Sequence, residues 1–100
     1  MEQIKWTKLA LKDLDSIDDY ISQDSPYYAQ KTIENILERV TILLSHPESG
    51  RIVPEFEKKE IRELIIGNYR VVYKIYPKKI SILRVHHAAR DMSKALKLLH

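Results

Sequence analysis

A two-residue turn of glycine and asparagine, Gly67-Asn68, constrains the fold of this chain more than any other feature. It separates two segments, residues 61–66 and 69–76, that are rich in β-branched and aromatic side chains. Such segments on both sides of a two-residue turn are a strong short-range signal for a β-hairpin. The middle of the chain is therefore predicted to be a hairpin whose register is set by the turn.

The turn places each residue of the first strand opposite one residue of the second. The predicted pairs are Ile66 with Tyr69, Ile65 with Arg70, Glu63 with Val72 and Ile61 with Lys74. Side chains alternate between faces, so one apolar face should pack on the helices, and it carries Leu64, Ile66, Tyr69, Val71, Tyr73 and Ile75. The other face is mixed, and we expect it to be at least partly open; it carries Glu63, Ile65, Arg70, Val72, Lys74 and Tyr76. Arg70 should lie in mid-sheet with Glu63 diagonal to it.

Two amphipathic helices precede this hairpin. The first follows a capping residue, Thr7, and has an apolar stripe at Ala10, Leu14, Ile17 and Ile21. Its acidic residues, Asp13, Asp15, Asp18 and Asp19, are interpreted as a solvated face and not as a metal site. The second helix begins at Ser25-Pro26 and ends near Ser45-His46, because the residue before Pro47 disfavours helix. The two should form an antiparallel helical hairpin packed on a sheet.

The remaining segments complete an α+β fold of the order β-α-α-β-β-β-α. Ile4 and Trp6 alternate with polar residues and predict a short first strand, and residues 47–59 read as a polar loop. Residues 80–87 predict a third hairpin strand, and Asp91 can cap a short C-terminal helix over residues 92–99. The predicted architecture is one domain, residues 1–100, with an antiparallel sheet and the helical hairpin on one of its faces.

Composition narrows the class of protein and the compartment. The 100 residues are 44% hydrophobic and 31% charged, contain no cysteine and have no apolar run long enough to span a bilayer. We expect a soluble cytoplasmic protein without disulfides. Residues 1–50 hold five basic and nine acidic residues, a balance of −4, and residues 51–100 hold twelve and five, a balance of +7. This asymmetry is either random clustering on a solvated surface or a sign that the C-terminal half faces an acidic partner or a polyanion.

Candidate chemistry is concentrated on the open face of the predicted sheet. A two-residue turn at Pro77-Lys78 would bring His87 near Arg70, whereas a three-residue turn would bring Arg84 and His86 there instead. One interpretation is an arginine–glutamate pair that solubilises an exposed sheet. The other is a groove in which an arginine binds phosphate or carboxylate and a histidine accepts a proton.

No cofactor or metal is expected. The neighbouring strand residues His86 and His87 point to opposite faces and cannot chelate one ion together, and glycine-rich phosphate loops are absent from the sequence.

The chain resembles the RelE/ParE superfamily of toxins from type II toxin–antitoxin, or plasmid stabilisation, systems. The resemblance covers nearly the whole sequence and rests on the order and spacing of Trp6-Thr7, Ala10, Asp13-Leu14, Ile17, Tyr20-Ile21, Pro47, Gly50-Arg51, Val53-Pro54-Glu55, Arg62-Glu63-Leu64, Tyr69-Arg70-Val71-Val72-Tyr73, Leu83-Arg84-Val85-His86 and Arg90. It implies the same fold as the reading above.

The resemblance implies two different targets. RelE-like members cleave mRNA in the ribosome without a metal, and by that likeness Arg70 would contact the phosphate and His86 would be the general base. ParE-like members poison DNA gyrase and are not nucleases. Only Lys58 and Lys59 resemble the RelE lysine pair, and Lys94 stands near the position of its catalytic tyrosine. The stretches from Leu83 and from Val53 are closer to ParE, so a gyrase-directed toxin is favoured, with the nuclease and a non-toxic antitoxin-binding module as alternatives.

The same resemblance implies a cognate antitoxin whose acidic C-terminal segment wraps the toxin. Its apolar anchors are expected near the aromatic residues Trp6, Tyr20 and Tyr28. The expected functional surface comprises Glu63, Lys74, Arg84, His87 and Arg90 in addition to Arg70 and His86. A homodimer or a toxin–antitoxin hetero-oligomer is the expected assembly, without membrane association.

Overall fold

The computed structural model describes residues 3–89, in which two helices pack on one face of a five-stranded sheet. The elements in chain order are β1 (Gln3–Trp6), α1 (Lys8–Ser22), α2 (Pro26–Val40), a 3₁₀ turn (Thr41–Leu44), β2 (Arg51–Ile52), β3 (Ile61–Ile66), β4 (Tyr69–Ile75) and β5 (Lys79–His87). The predicted α+β class is confirmed. The predicted C-terminal helix and Arg90 lie outside the described residues. Neither described helix is long and apolar enough to cross a membrane.

The strand order is β1-β5-β4-β3-β2. β3, β4 and β5 pair antiparallel as predicted and β2 joins them antiparallel, but β1 runs parallel to β5, with Gln3 opposite Lys79. β2 pairs with the start of β3 and was not predicted, because its two residues carry no alternating pattern. A parallel neighbour needs a long crossover, and the helical hairpin supplies it between β1 and the rest of the sheet.

Local signals fix both helix starts. The Thr7 hydroxyl accepts a hydrogen bond from the Ala10 backbone N–H at 3.1 Å, and the Ser25 hydroxyl accepts one from Tyr28 N–H, also at 3.1 Å. Both capping predictions are confirmed. The two helices bury their apolar stripes on the sheet, and the resulting core contains Ala10, Leu14, Ile36, Val40, Leu43, Ile66, Val71, Tyr73, Ile80, Ile82 and Val85.

The predicted register of the central hairpin is confirmed at every predicted pair. Gly67 has a φ of 59° and Asn68 does not have a positive φ, which is the pattern of a type II′ turn with glycine at its first central position. The next turn has two residues, since Tyr76 N–H bonds to the Lys79 carbonyl. A bulge at Leu83 then shifts the pairing, so that Arg70 lies opposite His86.

The prediction that the second sheet face is open is wrong around Arg70. Residues 53–61 fold back over it, and Val53, Ile61, Val72 and Leu83 form a second small core with Phe56 packed against it. Arg70 is 5% exposed and Glu63 is 1% exposed. The segment predicted as a polar loop therefore covers the part of this sheet face that contains Glu63, Arg70 and Val72.

Gly50 anchors the start of that covering segment. Its N–H donates to the Tyr73 hydroxyl at 3.0 Å, and the hydroxyl donates in turn to the Pro47 carbonyl at 2.7 Å. A Cβ at residue 50 would lie 2.6 Å from both the Glu63 carbonyl oxygen and the Tyr73 hydroxyl, so only glycine fits. Burial raises the pKa of the Tyr73 hydroxyl, which keeps it protonated as a donor.

Candidate functional site

Arg70 is held in a buried fork of two carboxylates. Its Nε donates to Glu63 Oε1 at 2.7 Å, and its Nη1 and Nη2 donate to the two oxygens of Glu55 at 2.8 Å each. The Glu55 hydrogen bonds are the largest reason why the pKa of Arg70 is raised above its ordinary value; burial opposes them, and Glu63 reinforces them. The bidentate geometry with Glu55 is the one an arginine would adopt with a phosphate.

A second arginine reaches the same network from outside. Arg51 on β2 donates to Glu63 Oε2 at 2.5 Å, while its side chain remains 60% exposed. The buried carboxylate of Glu63 is thus shared between one buried and one solvated guanidinium. The predicted diagonal pair of Arg70 and Glu63 is present, but Glu63 is not part of a surface.

A separate polar cluster lies where β5 extends beyond β1. Asp13 of α1 accepts hydrogen bonds from Arg84 Nε at 2.9 Å, from Arg84 Nη2 at 3.0 Å and from Val85 N–H at 2.9 Å. The carboxylate therefore occupies the edge of β5 where the next strand would pair. Burial alone would raise the pKa of the Asp13 carboxyl, but the contacts with His86, Arg84 and Val85 outweigh it and hold the pKa below its ordinary value. The earlier interpretation of Asp13 as a solvated residue is wrong.

His86 is buried between the two clusters. Its Nε2 lies 3.5 Å from Asp13 Oδ2, which is an ion pair only when the imidazole is protonated. No hydrogen-bond partner of this nitrogen lies within residues 3–89. His87 is exposed, and its ring meets Tyr69 edge-on with the centroids 6.0 Å apart. His86 is consequently the histidine on the Arg70 side of the sheet.

The other predicted positions are scattered over the surface. Lys74 lies at the opposite end of β4 from Arg70, with its Nζ 5.2 Å from the Tyr76 ring. Tyr20 and Tyr28 are 73% and 66% exposed, whereas Trp6 is half-buried against the main core. Tyr28 and Tyr69 line a groove of about 420 Å³ between α2 and the β3–β4 turn. Tyr20, Arg84 and His86 line a cleft of about 450 Å³ beside α1.

Two carboxylates were missed by sequence reasoning as partners of the arginines. Glu55 lies in a segment without periodicity, and its contact with Arg70 depends on the fold-back of that segment. Asp13 lies off the apolar stripe of α1, and its contact with β5 joins residues 71 and 72 positions apart. Within the part of the chain that the structure describes, no three histidine, cysteine or acidic side chains converge as metal ligands.

Comparisons with known proteins agree with this architecture. The family model described as the ParE toxin of the type II toxin–antitoxin system parDE matches residues 4–92. The toxin RelE2 of Caulobacter vibrioides is 36% identical over 91 residues, which are 90% of this chain and 99% of that protein.

Two solved structures share the fold. A chain of the chromosomal ParDE toxin–antitoxin system from P. aeruginosa superposes with a TM-score of 0.72 at 31% identity, over 87% of this chain and 96% of its own. A chain of the RelBE2 toxin–antitoxin complex from Mycobacterium tuberculosis superposes with a TM-score of 0.63 at 22% identity, over 89% of this chain and 93% of its own. At that identity, the second likeness concerns the fold alone.

Proposed function

We propose that this chain, which belongs to the ParE toxin family of type II toxin–antitoxin systems, blocks DNA gyrase by direct protein contact and does not cleave RNA. One observation decides against the nuclease: the guanidinium of Arg70 is buried and bound by two carboxylates. An arginine in this state cannot also stabilise the phosphate that a ribonuclease attacks. The match to the ParE family then favours gyrase as the target.

The charge arrangement around Arg70 supports this choice. A transition state for RNA cleavage is dianionic and needs an unbalanced positive charge at the attacked phosphate. Here Glu55 already occupies the bidentate position, and Glu63 binds the remaining edge of the guanidinium. An incoming phosphate would first meet the carboxylate of Glu55, which is 16% exposed, and would have to displace it from the guanidinium. His86 is only 6% exposed, so little of its ring is accessible to take a proton from a substrate.

The first experiment measures gyrase directly. Purified protein is added to gyrase, ATP and relaxed plasmid, and both supercoiling and cleaved DNA are scored. Inhibition of supercoiling, or accumulation of cleaved plasmid, at near-stoichiometric protein is the expected result. Normal supercoiling at a large excess of protein would refute the proposed target.

The second experiment separates the nuclease alternative. Cells expressing the protein or its Arg70→Lys variant are compared for growth arrest and for new 5′ ends in mRNA by primer extension. We expect growth arrest without new 5′ ends. New 5′ ends that are lost in Arg70→Lys would establish the nuclease instead, and unaffected growth would identify a non-toxic binding module.

The proposed partner is a cognate antitoxin with an acidic segment, as the matching family model and the 31%-identical solved structure both come from toxin–antitoxin systems. The exposed Tyr20 and Tyr28 are its proposed anchors, and Trp6, which is half-buried just before the start of α1, is the third. Co-expression with the product of the neighbouring gene should restore growth. Tyr28→Ala should weaken this rescue, whereas Tyr27→Ala, an equally exposed neighbour that does not line the groove, should leave it intact.

A further inference from the structure

A row of lysines crosses the sheet at the end far from Arg70, on the face away from the helices. Lys5 on β1 lies opposite Ser81 on β5, and Ser81 lies opposite Lys74 on β4. Their strand neighbours, such as Ile80 and Ile82, belong to the core under the helices. Because side chains alternate, Lys5, Ser81 and Lys74 must project from the other face. With strands about 4.8 Å apart, the two lysines stand roughly 10 Å from each other.

The ring of Tyr76 has two lysine ammonium groups close to it at this end of the sheet. The Nζ atoms of Lys74 and Lys79 lie 5.2 and 5.0 Å from the centroid of its ring, within the range of cation–π attraction. Lys78 follows in the exposed two-residue turn between β4 and β5. We define the lysine patch as Lys5, Lys74, Lys78 and Lys79.

The patch is not neutralised by the described part of the molecule. None of its four lysines forms an ion pair with a carboxylate in residues 3–89. The arginines differ from these lysines, because Arg70 and Arg84 are each bound to a carboxylate. Part of the excess positive charge of residues 51–100 therefore lies on the surface at Lys74, Lys78 and Lys79, whereas Arg70 is buried and paired.

We propose that the lysine patch is a contact surface for the phosphodiester backbone of duplex DNA. A flat row of ammonium groups at the spacing of sheet strands suits a charged backbone that is read without regard to sequence. Proteins that hold single strands add aromatic rings on which bases stack. The ring of Tyr76 instead has two ammonium groups close to it and serves to position them. This binding requires no gyrase, so it stands or falls independently of the proposed target.

The test is the affinity of the full chain for a labelled 20-base-pair duplex, measured by fluorescence anisotropy at several salt concentrations. Four phosphate contacts predict a slope of about −3.6 for the logarithm of the association constant against that of salt, or about 150-fold weaker binding between 50 and 200 mM. In the double variant Lys5→Ala/Lys78→Ala the slope should fall to about −1.8, which is about 12-fold over the same range.

The matched control removes the same charge from the helical side. Lys12→Ala/Lys31→Ala alters two exposed lysines of α1 and α2 and should bind like the unaltered chain. Tyr76→Ala should weaken binding, and Tyr76→Phe, which keeps the ring, should not. The proposal is overturned if Lys5→Ala/Lys78→Ala binds like the control, or if a single-stranded RNA of equal length binds as tightly as the duplex.

Discussion

Removal of the Arg70 side chain should destabilise the protein severely. In Arg70→Ala, Glu63 remains 1% exposed with only the outer guanidinium of Arg51, and Glu55 loses both of its bidentate hydrogen bonds. Breaking a buried pair by deleting one partner costs about 3–5 kcal/mol, because the other charge stays buried. For a domain of this size that corresponds to a fall in Tm of about 4–8 °C per kcal/mol.

The measurement is urea unfolding followed by circular dichroism, with Arg51→Ala as the matched control. Arg51 bonds to the same carboxylate, but its side chain is 60% exposed, so its loss should cost less than about 1 kcal/mol. Adding Glu63→Gln to Arg70→Ala should recover part of the loss, since it removes the uncompensated charge. A free energy of unfolding for Arg70→Ala within about 1 kcal/mol of the unaltered chain would refute the structural role assigned to Arg70.

Three further outcomes are expected. Gly50→Ala should lower the free energy of unfolding by about 1–3 kcal/mol, because the added Cβ meets Glu63 and Tyr73, and an unchanged urea midpoint would contradict this. The pKa of the Asp13 carboxyl is held below its ordinary value of 3.8. Its stabilising contribution is therefore fully present above that pH and is lost as the pH falls further. In Asp13→Asn, the urea midpoint of unfolding should depend less on pH in this acid range. Ser25→Ala should cost about 1 kcal/mol through loss of the N-cap of α2, measured by thermal unfolding.

Local signals in the sequence were sufficient for the two helix starts, for β1, β3, β4 and β5, and for the central hairpin. The Gly67-Asn68 turn specifies its own register, and each capping hydroxyl specifies a helix start within three residues. These features depend on neighbours in the sequence, so one segment read by itself contains them.

Features that depend on distant segments were not predictable in the same way. The bulge at Leu83 decides that His86 and not His87 lies on the Arg70 side, and no residue type marks it. The direction of β1 follows from the crossover and not from its own alternation. Val53, Glu55 and Phe56 cover Arg70, but their spacing shows no helix or strand periodicity. The sheet face was therefore predicted to be at least partly open.

In the candidate site, too, the contacts set by local register were predictable, and those made by a distant segment were not. The pairing of Arg70 with Glu63 follows from the register and was predicted. The second carboxylate, Glu55, was not predicted to bind Arg70. Because of it, Arg70 is a buried cation balanced by two carboxylates and not an exposed one. A sequence pattern can therefore indicate that an arginine lies in mid-sheet, whereas its availability to a ligand depends on the fold-back of another segment.

The parallel pairing of β1 with β5 also affects how this protein emerges from the ribosome. β1 cannot pair until β5, the last described strand, has been made. The hydrogen bond from the Thr7 hydroxyl to the Leu83 carbonyl joins residues 76 positions apart. Closing so large a loop is slow, and it cannot occur before β5 has been synthesised. A nascent or prematurely ended chain has its helical hairpin without the strand that completes the sheet. For a family of toxins, this order of assembly delays completion of the described sheet until β5 has been synthesised.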